Sequence, residues 1–271
     1  MIKLEYIKYI ILGIIQGITE PLPVSSSGHI FLFKNMLNTE LFNSLNFEII
    51  ANFGSFLAIL FIFRKDIIIL IKSFLYYMFR KSKRTIYQDN FLYILKIIVS
   101  TIPVGVMGLI FSDYLESKYT SLKLLALAFI FTALMLFIVR NIKGEKKDKD
   151  ISFKDAFIIG LFQMITIVPG ISRSGTVLVA CLLCKLSRVT ALKYTFMLYF
   201  PVSIGTIILK LPELLNTPVS KVTPYLSGFL ASLLVTYFSY QLLSNMVKNG
   251  KLWKFSIYCL CLALFIFIYF R

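Results

Sequence analysis

Apolar runs close to the length needed to cross a bilayer recur along this chain, and short clusters of lysine and arginine separate them. A helix of roughly 20 apolar residues spans the hydrocarbon of a bilayer, so this pattern is that of a polytopic helical membrane protein and not of a soluble core. Composition agrees, with 58% hydrophobic residues and 15% charged ones. A net charge of +16 would suit nucleic acid in a soluble chain. Here the cations lie between apolar runs, as cytoplasmic loops facing anionic lipid do, so membrane lipids are the expected neighbours and no nucleic-acid partner is expected.

The runs differ in kind. Phe47 to Phe63, Phe91 to Phe111, Leu122 to Val139, Tyr194 to Leu211, Tyr225 to Leu243 and Leu252 to Phe270 read as spans. Ile67 to Phe79 contains Lys72 and precedes a basic cluster, which suggests a helix lying along the inner surface. Ser112 to Ser121, with Asp113 and Glu116, reads as an external loop. Two runs are broken instead. Leu4 to Thr19 stops at a proline-serine segment and resumes as Ile30 to Leu37; Ala156 to Val168 stops at Pro169-Gly170 and resumes as Val177 to Leu186. Irregular backbone at membrane depth is tolerated only where it is packed in protein or lines a watery cavity, so each broken run is expected to be a re-entrant hairpin with its tip at such a cavity. No cleavable leader is expected, because the first apolar run passes straight into its broken segment. Cys181, Cys184, Cys259 and Cys261 all fall in apolar runs and are read as small buried residues.

The most basic linker, Arg140 to Lys154, divides the chain into halves, 1–143 and 144–271, of a single membrane domain. Three spans per half is an odd number, so the second half is inserted upside down relative to the first, with one hairpin entering from each side. The halves also repeat. An offset of 147 positions (163 less 16) pairs Gln16 with Gln163, Thr19 with Thr166, Ser25 with Ser172, Ser27 with Ser174 and Gly28 with Gly175. At the centre of this repeat Ser26 faces Arg173. The expected fold is therefore all-α, an inverted-topology repeat of six transmembrane helices plus two re-entrant helical hairpins. Lys3 and Lys8 would then lie outside, against the usual charge bias.

Chemistry concentrates in Gln16 to His29, where Gln16, Glu20, Ser25-Ser26-Ser27 and the chain's one histidine meet in otherwise apolar sequence. Pro21 and Pro23 stop the preceding helix. A serine-rich turn that opens the next helix is an anion cradle, because free N–H groups, hydroxyls and the helix dipole point the same way. One serine is expected to serve only as the cap. Glu20 at membrane depth is costly and therefore a functional candidate, and the Arg173 fork suits two phosphate oxygens at once. Glu48 and Asn52 share a helix face that could border the same cavity.

Gly13 to His29 together with Pro169 to Thr176, and more weakly Phe47 to Gly54 and Tyr194 to Pro201, resemble the undecaprenyl-diphosphate phosphatase family, the bacitracin-resistance proteins. The resemblance runs in order along essentially the whole chain. It implies hydrolysis of a lipid diphosphate to the monophosphate at the outer face of the bacterial cytoplasmic membrane, recycling a lipid carrier for cell-wall synthesis, with a divalent cation, Mg or Ca. It places Glu20, Ser26, His29 and Arg173 in catalysis, with Ser26 attacking and His29 managing a proton, and Glu20 near the metal. Gln16, Ser25, Ser27, Gly28, Ser172, Ser174, Gly175 and Thr176 fall to substrate binding, and a homodimer is compatible with it. Gln16 stands where many relatives carry a glutamate, and an amide neither takes a proton nor adds charge to a metal site. Rivals are direct attack by a metal-activated water, a transporter or flippase of a phosphorylated polyprenyl lipid, and the histidine-nucleophile lipid phosphatases, which need two catalytic histidines where this chain has one.

Overall fold

The structure is a computed structural model that describes residues 2–37, 45–118, 121–215 and 219–270. All regular structure among them is helical: α1 (Ile2–Thr19), α2 (Ser26–Leu37), α3 (Leu45–Phe79), α4 (Arg84–Lys118), α5 (Leu122–Ile138), α6 (Phe153–Ile165), α7 (Arg173–Leu183), α8 (Arg188–Leu215), α9 (Val219–Lys248) and α10 (Trp253–Tyr269). Three stretches are long and apolar enough to cross a membrane: Lys81–Phe111, which takes in the turn before α4, Arg188–Pro212 of α8 and Ser220–Lys248 of α9. At 17 residues each, α5 and α10 are at the short end of what can span. Large apolar side chains stand exposed on these helices, Leu109 at 70%, Leu234 at 59% and Ile268 at 77%. Such a surface belongs in lipid, since soluble proteins rarely show extended apolar patches.

Three boundaries differ from the sequence reading. Ile67 to Phe79 is no separate surface helix: α3 runs unbroken for 35 residues, about 50 Å at the α-helical rise. The charges Arg64, Lys65 and Asp66 did not end it, because helix propensity is indifferent to a charged face that finds partners. Asp66 has one, in Lys193 of α8 at 2.8 Å, and that lysine also holds Asp148 of the central linker at 2.9 Å. The basic cluster after α3 is then a single 3-10 turn, Lys81–Lys83, and α4 begins at Arg84 rather than Phe91. Its far end also overruns expectation, continuing through the presumed Ser112 loop to Lys118. Of the cysteines, Cys181 and Cys259 are buried as expected, but Cys184 is half-buried and Cys261 is exposed.

Both broken runs are helix, break, helix. α1 ends at Thr19, whose hydroxyl turns back to the Ile15 carbonyl at 2.7 Å, and α6 ends likewise, with Thr166 Oγ1 donating to the Gln163 carbonyl at 2.7 Å. Packing repeats this parity. α1 lies along α9 and α6 along α4, and one glycine makes each crossing close. A Cβ on Gly13 would sit 2.2 Å from the Gly228 carbonyl oxygen, and one on Gly160 2.6 Å from that of Ser100. These two glycines stand at the same 147-residue offset as the rest of the repeat. Small residues at such crossings let backbones approach where no hydrophobic gain drives helices together in lipid. Ser100 adds a polar tie, donating to the Ala156 carbonyl at 2.6 Å. A large core joins α3, α5, α7, α8 and α10 around Phe56, Phe129, Phe196 and Leu198, and the two breaks come together inside this helical frame.

Candidate active site

Each break ends in a helix cap of the same construction. Ser25 precedes α2 and its Oγ accepts from the Gly28 N–H at 3.2 Å; Ser172 precedes α7 and accepts from the Gly175 N–H at 3.1 Å. A serine oxygen at this position satisfies an N–H that the helix start leaves open, which stabilises the start by about 1 kcal/mol. Serine is used for its acceptor even where the backbone resists it, for Ser25 has φ +69, a left-handed conformation that costs a non-glycine residue about 1–2 kcal/mol. The cap position fixes its neighbour: Ser26 and Arg173 are the first residues of their helices, at the two ends of a 147-residue separation. Both line a single cavity of about 130 Å³ together with Thr19, Glu20, Ser27, Asn52, Ser172, Ser174 and Tyr199.

Glu20 joins the two tips. One carboxylate oxygen accepts from Ser26 Oγ at 2.6 Å and from Gln16 Nε2 at 2.9 Å; the other lies 3.4 Å from an Arg173 guanidinium nitrogen. The backbones interlock beside it, with Ser174 Oγ donating to the Leu22 carbonyl at 3.0 Å. Glu20 is buried at 8% exposure while the Arg173 side chain keeps 27%. Arg173 touches the carboxylate through one nitrogen and stands over the Tyr199 ring at 5.1 Å. Its other terminal nitrogen faces Ser203 Oγ at 3.5 Å; a guanidinium carries five N–H donors, so donors remain for an anion entering the cavity. The short Ser26 to Glu20 bond has the length of a charge-assisted one and aims the serine proton at the carboxylate.

His29 is placed otherwise than expected. It is buried at 3% and lies behind the cavity wall, not on it. Nδ1 meets the Ser25 carbonyl at 2.7 Å and Nε2 the Tyr258 hydroxyl at 2.7 Å. A carbonyl can only accept, so Nδ1 carries the proton and Nε2 accepts from tyrosine. The ring also meets Phe129 edge-on. His29 therefore props the strained Ser25 turn, and the Ser26 hydroxyl is directed at the carboxylate of Glu20 and not at the imidazole. Sequence reasoning had no means of seeing Tyr258, 229 residues away in α10. Of the residues expected to bind substrate, Ser25, Ser27, Ser172 and Ser174 reach the cavity; Gln16 bonds Glu20, and Gly28, Gly175 and Thr176 lie buried in the helix starts. Asn52 lines the cavity and accepts from Tyr199 OH at 3.3 Å, while Glu48 pairs with Lys34 and borders an adjoining groove with Arg173, Ser203 and Lys210.

No group of three or more His, Cys, Asp or Glu is gathered among the described residues. What the cavity offers is one carboxylate among hydroxyl and amide oxygens. That donor set fits a hard cation such as Mg or Ca, which takes oxygen ligands and completes its shell with water and substrate phosphates.

Comparison with known proteins adds an independent observation. The family described as bacitracin resistance protein BacA matches residues 9–265. Undecaprenyl-diphosphatase 1 of Bacillus cereus is 38% identical over 265 residues, 97% of each chain. Undecaprenyl-diphosphatase 1 of Bacillus licheniformis is 39% identical over 269 residues, 98% of each. Undecaprenyl-diphosphatase of Oceanobacillus iheyensis is 37% identical over 267 residues, 97% of this chain and 96% of the relative.

Proposed function

The chain belongs to the bacitracin resistance protein BacA family, and from that premise we propose that the cavity at the two hairpin tips is where it cleaves its substrate. The protein is a membrane phosphatase: it hydrolyses undecaprenyl diphosphate to the monophosphate and inorganic phosphate, which recycles the lipid carrier for cell-wall synthesis and underlies bacitracin resistance. The transporter reading is not favoured, since the relatives are named for hydrolysis. One observation carries the site assignment: Ser26 and Arg173, from opposite halves of the chain, converge on the two oxygens of Glu20.

In this reading Ser26 Oγ attacks the terminal phosphorus in line as its proton passes to Glu20. The phosphoanhydride bond breaks and Glu20 returns that proton to the departing lipid monophosphate. Arg173 and the open N–H groups at the starts of α2 and α7 hold the charge that develops on the phosphoryl oxygens. Water then attacks the phosphoserine, giving its proton to Glu20, which passes it on to the released Ser26 oxygen. Glu20 and the Ser26 and Asn52 oxygens would hold a divalent cation, which when bound neutralises substrate phosphate charge. His29 and Gln16 are positioning residues, the one holding the Ser25 turn and the other aiming Glu20.

The two halves, 1–143 and 144–271, are inverted repeats whose hairpins enter the bilayer from opposite sides, a reading supported by the matched caps and the matched α1–α9 and α6–α4 crossings. The cavity then faces the outer leaflet of the cytoplasmic membrane. A homodimer belongs to the same reading and is checked by mass measurement of the purified protein in detergent. Phosphate release from a lipid diphosphate by that preparation, with and without chelator, tests the chemistry. Release by wild type and its loss in Ser26→Ala are expected; an equally active Ser26→Ala protein would mean that water attacks phosphorus directly.

A further inference from the structure

Gln163 stands in the second hairpin where Gln16 stands in the first, in the last turn of its helix. Gln16 has its partner in cis, Glu20, four residues on and 2.9 Å away. At the same offset the second hairpin has Ile167. Deprived of a carboxylate, Gln163 is nonetheless fully buried, at 0% exposure, and it is one of the residues around the same cavity as Glu20, Ser26 and Arg173. Among the described residues neither its amide nitrogen nor its amide oxygen has a hydrogen-bond partner. Burying an amide without partners is unfavourable, and an unsatisfied buried polar group of this kind is uncommon in a folded protein. An apolar residue of the same size would serve packing better.

We propose that Gln163 is a substrate-contact residue: its Nε2–H₂ group donates to a non-bridging oxygen of the phosphoryl group held between Ser26 and Arg173. The inference rests on the assignment of the site given above and adds a donor to it from the second hairpin. An amide suits this place for an electrostatic reason. Glu20 and the phosphate are both anionic, so a second carboxylate at 163 would repel the ligand, whereas a neutral donor accepts the oxyanion without demanding a partner of its own. The two matched positions thus differ in role, the first glutamine orienting a carboxylate and the second facing the ligand.

The test uses full-length protein in detergent and compares Gln163→Leu, Gln163→Glu and Ser26→Ala with wild type. Gln163→Leu removes the unpartnered amide while keeping side-chain bulk, so without ligand its thermal midpoint is expected to equal or exceed that of wild type. Its kcat/KM on the lipid diphosphate is expected to fall roughly 10- to 1000-fold, the range for losing one donor to a developing oxyanion. Any rise in midpoint that inorganic phosphate gives wild type should shrink in Gln163→Leu. Gln163→Glu should lose still more activity. Unchanged kcat/KM in Gln163→Leu overturns the inference, and so does a lowered midpoint that accounts for the lost activity, which would make Gln163 a structural residue. An active Ser26→Ala protein, by contrast, removes the nucleophile from the reading of the site and leaves the phosphate contact to be judged by the Gln163 variants alone.

Discussion

The tip of the first hairpin and the tip of the second are built on one plan and equipped for different work. Both end a helix with a threonine that bonds backward, both reopen with a serine cap three residues before a glycine, and both present the first residue of the new helix to a shared cavity. Yet the first carries Glu20 and the Ser26 hydroxyl, and the second carries Ile167 and the Arg173 guanidinium. A serine beside a carboxylate gives a nucleophile with a proton acceptor; a guanidinium gives a clamp for charge. Had both tips kept the carboxylate, two anions would face an anionic substrate across a small cavity. The two tips share a frame, and the residues at their central positions carry complementary charge.

Substitutions that erase the difference between the tips should have the largest effects. Glu20→Gln takes from the first tip the carboxylate that the second lacks, and turnover is expected to drop by roughly 10³-fold or more, because the proton acceptor and the ion pair vanish together. The protein should still fold, read by an unchanged elution profile and a thermal midpoint near that of wild type. Near-normal phosphate release from Glu20→Gln would break the comparison altogether. Next comes Arg173→Lys, which keeps the charge and removes the fork. A loss of about 10²- to 10³-fold in kcat/KM is expected, since lysine offers a point charge where two oxygens are to be held at once.

Changes to what the tips share should be smaller and alike. Ser172→Ala removes a cap, and a cost of about 1 kcal/mol is expected in denaturant or thermal unfolding. Ser25→Ala removes the equivalent cap at a left-handed residue and should cost about the same. A cost several-fold greater at one tip would show that the two caps are not equivalent. The smallest effect lies at the base of the second hairpin. Burial alone would push the Asp155 carboxyl up, but the Lys146 ammonium at 2.8 Å and the Ser152 N–H and hydroxyl hold it below the ordinary carboxylate range. A lowered folded pKa means stability present above the unfolded value, about 4, and lost as pH falls through the folded value. Asp155→Asn should therefore lower stability by about 1 kcal/mol or less at neutral pH, with the difference from wild type vanishing in acid.

What could be read in advance followed from local chemistry. Pro21 and Pro23 deny a helix its continuation wherever they occur, so the first break was legible in the chain. The caps are legible too, as a serine ahead of a glycine at a fixed offset, though only the structure selects Ser25, which accepts from the Gly28 N–H. Helix ends marked only by charge were misread: Arg64 and Lys65 lie inside α3, because a charged residue ends a span in a membrane without ending a helix.

The sequence by itself determined the membrane class, the two broken runs, the repeat that relates them and the residue types at their tips, all of which follow from spacing and from bonds between near neighbours. Only the tertiary structure decided what those residues do to one another. Ser26 and Arg173 meet on Glu20 because α1 is pressed against α9 and α6 against α4 at Gly13 and Gly160, whose missing side chains set how closely the helices approach. His29 lost its expected place on the cavity wall to contacts with Tyr258 and Phe129, and Gln163 is a buried amide without a partner among the described residues, with Ile167 at the position that matches Glu20. Contacts between residues more than a hundred positions apart depend on the crossing of helices, and nothing in the spacing along one chain specifies where two helices cross.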